Sequence, residues 1–217
     1  MSARAWLQQQ IWQWHHRWQR KRLANPTFSF LFDDPPADEW VSLDCETTGL
    51  DVRKDEIISI GAVRIVGDRI MASERLELLV RPERGVSATS VRIHRLRERD
   101  VAQGLHADEA VQHLLHFIGA RPLVGYFLEF DLAMINRIAR PILGLPLPQR
   151  AIEVSQLYYD YKFKQLPPYQ QHDNADIDLR FDTLMRDLNL PQRDAHDAVN
   201  DAVMAGLAFI KLRKMLG

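Results

Sequence analysis

The sequence is notable first for what it has little of. Its 217 residues include one cysteine, Cys45, which rules out a disulfide framework and sets a reducing, cytoplasmic setting as the expectation. There is no run of 18 or more apolar residues, and no apolar signal-peptide core follows Arg4, so no membrane association is expected. A formal net charge of -1 with 46% hydrophobic residues excludes both a disordered chain and a broadly polycationic one, and any nucleic-acid surface must be local. Internal repeats and low-complexity tracts are absent. Acidic residues are missing from the first 32 positions, which instead hold Arg4, Arg17, Arg20, Lys21 and Arg22 among four tryptophans, Trp6, Trp12, Trp14 and Trp18.

That N-terminal segment has its own pattern. Leu7, Ile11, Trp14 and Trp18 fall on one face of a helix expected from about residue 3 to 23, an amphipathic helix that Asn25-Pro26 stops. Its apolar stripe can pack on the rest of the chain, dock a protein partner or a second copy, stack on single-stranded nucleic acid, or lie on a membrane surface. Asp33-Asp34-Pro35-Pro36-Ala37-Asp38 continues neither a helix nor a central strand, so a boundary is expected near Asp38: an appendage and linker over 1–38, and one domain over 39–217.

Within that domain, strands are expected over 40–44, 56–66 and 69–80, with Gly67-Asp68 turning between the last two. Strand and helix then alternate: a helix over 108–118, a short buried strand over 122–126, and a helix over 130–140. Further helices are expected over 152–161, 180–188 and 197–215, with a polar loop over 164–178 that holds Pro167-Pro168.

The first strand runs into Asp44-Cys45-Glu46-Thr47-Thr48-Gly49-Leu50. Side chains alternate along a strand, so Asp44 and Glu46 share one face while Cys45 turns into apolar packing. Two carboxylates aimed at one point repel unless a cation neutralises them, and hard oxygen ligands suit Mg²⁺ or Mn²⁺. Two solvated acids at a strand end are the plain alternative. Asp131 stands where a short strand passes through Gly125 into a helix, a position also suited to a helix cap. In His196-Asp197-Ala198-Val199-Asn200-Asp201, Asp197 suits a cap and Asp201 sits one turn inside the last helix, facing back toward His196. A metal-holding acid beside a histidine that titrates near neutrality fits metal-assisted hydrolysis, although such a histidine can also simply begin a helix.

In this order and spacing, DCETTGL, Phe130-Asp131 and HDAVNDA resemble the DEDDh family of 3′–5′ exonucleases. Within it the likeness is to the proofreading epsilon subunits of bacterial replicative DNA polymerases, with ribonuclease T and oligoribonuclease as relatives. The resemblance covers roughly residues 39 to 213. It implies an α/β, ribonuclease-H-like fold, a mixed five-stranded sheet flanked by helices, to which the N-terminal amphipathic helix is an addition. It also implies a metal-dependent 3′–5′ exonuclease that hydrolyses single-stranded DNA ends to nucleoside 5′-monophosphates, in repair, proofreading or processing. Asp44, Glu46, Asp131 and Asp201 become the acids of a two-ion site for Mg²⁺ or Mn²⁺, which clamps the attacking water and the leaving 3′ oxygen. His196 becomes the general base. Thr47, Leu50, His94 and Phe130 become the residues around the terminal nucleotide.

Two departures stand out: Tyr126-Phe127 replaces the family's common His-Asn, and Glu153-Val154 replaces a later Asp-Thr. These bear on how Asp131 and the substrate strand are held. DNA is favoured over RNA, with an exoribonuclease trimming RNA as the alternative and a catalytically impaired nucleic-acid-binding module as the alternative of another class. Six arginines, 81, 84, 92, 95, 97 and 99, against Glu83 and Glu98, suggest a phosphate-contacting patch beside His94 or a solvated helix face. Histidines 15, 16, 106, 113, 116 and 172 read as surface or packing residues. Because the sequence ends soon after the last helix, a stand-alone nuclease is expected rather than a replisome subunit.

Overall fold

The computed structural model describes residues 16, 18–85, 98–172, 175–192 and 197–216. The apolar runs that alternate with turns become a five-stranded sheet: β1 (Glu39–Thr47), β2 (Ile57–Val66), β3 (Arg69–Leu79), β4 (Leu123–Gly125) and β5 (Ala151–Glu153). Their order is β3-β2-β1-β4-β5, with β1 antiparallel to β2 and parallel to β4. The helices that matter to the site are α1 (Ala107–Ile118), α2 (Leu128–Leu143), α3 (Val154–Gln165), α4 (Phe181–Asp187) and α5 (Ala198–Leu216).

Alternation along β1 divides the core in two. Val41, Leu43 and Cys45 join a cluster with α1 and α2. The other face of the sheet is covered by α5 with α3 and α4, where Tyr158, Leu184, Met204, Ala208 and Phe209 are buried. Ser42 lies on this second face, since a Cβ added to Gly206 of α5 would come within 3.3 Å of the Ser42 Cβ. Asp44 and Glu46 share its parity, so the strand delivers its carboxylates to the α5 side and its thiol to the packed side. The register of β1 on β2 shifts between Glu46 and Thr47; such a bulge bends a strand away and re-aims side chains.

Several boundaries differ from the expectation. β1 extends to Thr47 because the antiparallel ladder with β2 continues to Ile57. Helix α2 begins at Leu128 and passes through Pro141 to end at Leu143, where Gly144 closes it at φ 76; a proline in the last turn forfeits one hydrogen bond but leaves the preceding turns intact. The helix expected over 152–161 is preceded by β5, three residues paired in parallel with β4, too short to leave a periodicity signal. Gly67-Asp68 does turn between β2 and β3, with Gly67 at φ 57.

The expected helix over 3–23 lies mostly outside the described residues. Of its end, residues 18–20 are helical, the Arg22 guanidinium lies 3.6 Å over the Trp18 ring, and the His16 and Phe32 rings are 5.0 Å apart. Beyond it, Pro26–Phe32 forms a 3-10 helix capped by the Asn25 side chain, and Phe28, Leu31 and Phe32 are buried in the same core as α1. His116 stacks on Phe30 at 5.0 Å, a packing role as expected. Thus Phe28, Leu31 and Phe32 are physically part of the core that the sheet and α1 build, while residues 33–38 are exposed. No helix among the described residues is long and apolar enough to cross a membrane.

Candidate active site

At the end of β1, Asp44, Glu46 and Asp201 each offer a carboxylate oxygen, all within 4.8 Å of one another. The first two come from strand alternation. The third comes from α5, which begins where Asp197 Oδ1 accepts from Asn200 N at 2.8 Å, the expected cap. What brings the start of α5 down onto the strand is Gly61, the register partner of Asp44. A Cβ there would lie 2.1 Å from the Ala198 carbonyl carbon and 2.3 Å from Val199 N. Only a residue without a side chain allows helix and sheet to approach this closely.

Asp131 stands beside this cluster rather than in it. β4 stops at Gly125, which leaves the outer end of β1 without a neighbour on that edge, and Asp131 Oδ1 accepts the Cys45 backbone N–H there at 3.0 Å. The carboxylate thus replaces a ladder partner. Burial pushes the Asp131 carboxyl up to about 8, against the pull of the Cys45 N–H bond. Burial first, and then the charges of Asp131, Asp201 and Glu46, hold Asp44 well above the usual carboxylate range. Such crowding of acids is relieved by a cation.

A cavity of about 1160 Å³ opens over these groups, and Thr47, Leu50, Phe130, Asp131 and Asp201 all line it with Asp44 and Glu46. Leu50 is 84% exposed, on a loop that is itself firmly built. Asp55 accepts from the Thr48 hydroxyl at 3.0 Å and from Asp51 N at 2.8 Å, and the Thr48 hydroxyl accepts from Glu56 N at 3.0 Å. Arg137, from α2, donates to the backbone carbonyls of Val52 and Asp55. His94 and His196 lie outside the described residues, as do Arg92, Arg95 and Arg97.

The two departures noted in the sequence meet in space. Glu153 at the end of β5 accepts from Phe127 N at 2.9 Å with one oxygen and from Leu128 N at 2.8 Å with the other, capping α2. The same carboxylate takes the Ser155 N–H at 3.0 Å and so also caps α3. Phe127 is held at φ 52, ψ 35, a left-handed conformation that costs an aromatic residue on the order of 1 kcal/mol or more. Tyr126 turns inward, its hydroxyl donating to Leu179 O at 2.7 Å; burial pushes that phenol up to about 12.

Sequence reasoning missed Gly61, Glu153, Asp55 and Arg137 as organisers of this site. For Gly61 the local signal was a glycine inside a strand, which marks a close approach of another backbone; for Glu153 it was the departure at Glu153-Val154. A second groove of about 900 Å³, lined by Arg137 and Arg140 of α2 and by Arg53 of the loop after β1, shares Val52, Glu129, Ala133 and Glu153 with the acidic cavity. It too went unforeseen.

The strand order and the flanking helices are those of the ribonuclease-H-like α/β class, with carboxylates gathered at the end of its central strand. The sequence profile of the Exonuclease family matches residues 41–209. The chain belongs to that family, the DEDD-type 3′–5′ exonucleases. It is 26% identical over 177 residues to the DNA polymerase III subunit epsilon of Aquifex aeolicus, covering 82% of this chain and 81% of that protein. It is also 26% identical over 195 residues to the PolC-type DNA polymerase III of Thermotoga maritima, where it covers 89% of this chain but spans only 13% of the relative's length. Among solved structures, E. coli Exonuclease I in complex with a dA16 oligonucleotide superposes with a TM-score of 0.64 at 17% identity, over 82% of this chain and 41% of that one.

Proposed function

We propose that this chain hydrolyses single-stranded DNA from the 3′ end to nucleoside 5′-monophosphates, using two divalent cations, Mg²⁺ or Mn²⁺, in repair, proofreading or processing. The observation that carries the reading is the meeting of Asp44, Glu46 and Asp201 within 4.8 Å at the head of a cavity with apolar walls. The donor set is all hard oxygen, which fits such ions. Cations held by these three acids, with Asp131 beside them, supply charge neutralisation and Lewis acidity at the scissile phosphate.

The residues of the chain do the rest. His196 takes the proton of a water as that water's oxygen bonds to phosphorus and the P–O3′ bond breaks; the departing O3′ takes a proton from solvent, leaving a 3′ hydroxyl on the shortened strand. Leu50 and Phe130 give the terminal base apolar surface, and Thr47 and His94 flank its nucleotide. Thr47 is buried and its hydroxyl is committed to Gly49 O at 2.7 Å, so it acts by shaping the turn. Phosphates farther from the end run past Arg53 and Arg140 in the adjoining groove. The oligonucleotide bound to Exonuclease I supports a single strand as the substrate.

The test uses 5′-labelled DNA and RNA of one sequence, with Mg²⁺ or Mn²⁺, beside an Asp44→Ala control. Stepwise 3′ shortening of the DNA that the control lacks is the expected result. Shortening of the RNA alone reassigns the substrate, and intact strands of both kinds would falsify the enzymatic reading.

A further inference from the structure

Phe127 is a large apolar side chain left 58% exposed, and it lines the cavity that holds the acids. Three features set it apart from an incidental surface aromatic. Its backbone occupies the left-handed region at φ 52, where Gly or Asn is the ordinary choice. A carboxylate-to-amide clasp, Glu153 to both Phe127 N and Leu128 N, keeps it there. Behind the ring stands a fixed aromatic: Tyr126 is 4.5 Å away, centroid to centroid, with Phe181 another 4.5 Å beyond, and Tyr126 is anchored through its hydroxyl to Leu179 O. The ring is therefore presented to the cavity rather than tucked beneath it. At about 1160 Å³ the cavity exceeds the roughly 300–1,000 Å³ that holds a drug-sized ligand, leaving room for more than the nucleotide between Leu50 and Phe130.

We propose that Phe127 is a stacking platform for a nucleobase of the last two nucleotides of the bound strand, so that this chain grips unpaired ends through an aromatic. The proposal rests on the nuclease reading for the identity of the ligand, a single-stranded nucleic acid. Every base has a π face, so the grip tolerates any sequence but not a missing base. A strained residue at a cavity-lining position is what a binding role predicts, because Asn in its place would relieve the strain at once.

The test compares wild type with Phe127→Asn, Phe127→Ala and Phe127→Trp on a 12-nucleotide dT strand. KM and kcat are read from 3′ shortening in Mg²⁺, and Kd from fluorescence anisotropy in Ca²⁺. Phe127→Asn should melt no lower than wild type, since Asn accepts the left-handed conformation, yet raise KM and Kd by about 5- to 100-fold with kcat little changed. Phe127→Trp should stay within about twofold of wild type. A single abasic residue placed at either of the last two positions should weaken wild type at one of them and leave Phe127→Ala unmoved there. Unchanged KM and Kd in Phe127→Asn, with wild type active, overturns the stacking role alone. A wild type that binds the strand and needs Phe127 to do so, but never shortens it, overturns the nuclease reading and leaves the platform standing. A wild type that neither binds nor shortens removes both.

Discussion

The Asp131 carboxylate is bonded to the backbone N–H of Cys45 at 3.0 Å, the amide that lies between Asp44 and Glu46. One acid of the site is thus fixed by the very strand that supplies two others, and its structural and chemical roles can be separated. Asn in its place keeps an oxygen acceptor for that N–H and cannot ionise in a buried position where burial already disfavours the charged form, so Asp131→Asn should melt at or above the wild-type temperature without metal. Asp131→Ala orphans a buried N–H and should cost about 1–3 kcal/mol. Both should lower the rate of 3′ shortening by at least about 100-fold. Calorimetry with a labelled-strand assay checks this; an active Asp131→Asn shows that only the hydrogen bond matters.

Metal should stabilise the protein more as pH rises. Asp131 is raised to about 8, and Asp44 is raised well above its ordinary value by burial and neighbouring carboxylates. In the unfolded chain both ionise near ~3.9. The folded state therefore binds more protons between about pH 4 and 8, and metal-free stability falls with pH across that window. Cations replace those protons, so the gain in Tm from Mg²⁺ or Mn²⁺ over EDTA should grow from about pH 5 to pH 8. A gain independent of pH would detach the ions from these acids.

The parts of this fold that local chemistry dictates were legible. Alternation put Cys45 in the core and Asp44 with Glu46 opposite it. The cap at Asp197 put Asp201 one turn into its helix. What escaped depends on contacts distant in sequence. β5 has three residues, and its importance lies in Glu153 reaching a helix start 25 residues upstream. Tyr126-Phe127 and Glu153-Val154 could be noticed singly as departures; only the fold shows that one clasps the other. Gly61 offered a hint of close approach, but Ala198 arrives over it only once α5 has packed on the sheet.

That packing makes Gly61→Ala a sharp change for one methyl group. The added Cβ meets backbone atoms at 2.1 to 2.3 Å, and backbone cannot step aside by rotating a side chain. α5 must lift at its N-terminus, carrying Asp201 away from Asp44 and Glu46. We expect a loss of about 1–3 kcal/mol, read by denaturant unfolding. The rate of shortening should also drop by about 100-fold or more, measured well below the melting temperature, where the protein stays folded. A variant that loses stability but keeps its rate shows that the acids tolerate the displacement.

The groove along α2 makes a prediction about salt. Arg137 is committed to the carbonyls of Val52 and Asp55, so phosphate contact in this groove falls to Arg53 and Arg140, both exposed. Each phosphate neutralised on a single strand adds about 0.7 to the slope of log K against log salt. Arg53→Gln with Arg140→Gln should therefore weaken binding of a 12-nucleotide strand and flatten that slope by about 1.4, while kcat at saturation holds. A dinucleotide, too short to reach the groove, should bind both proteins alike. An unchanged slope for the longer strand means that its phosphates leave the cavity by another path.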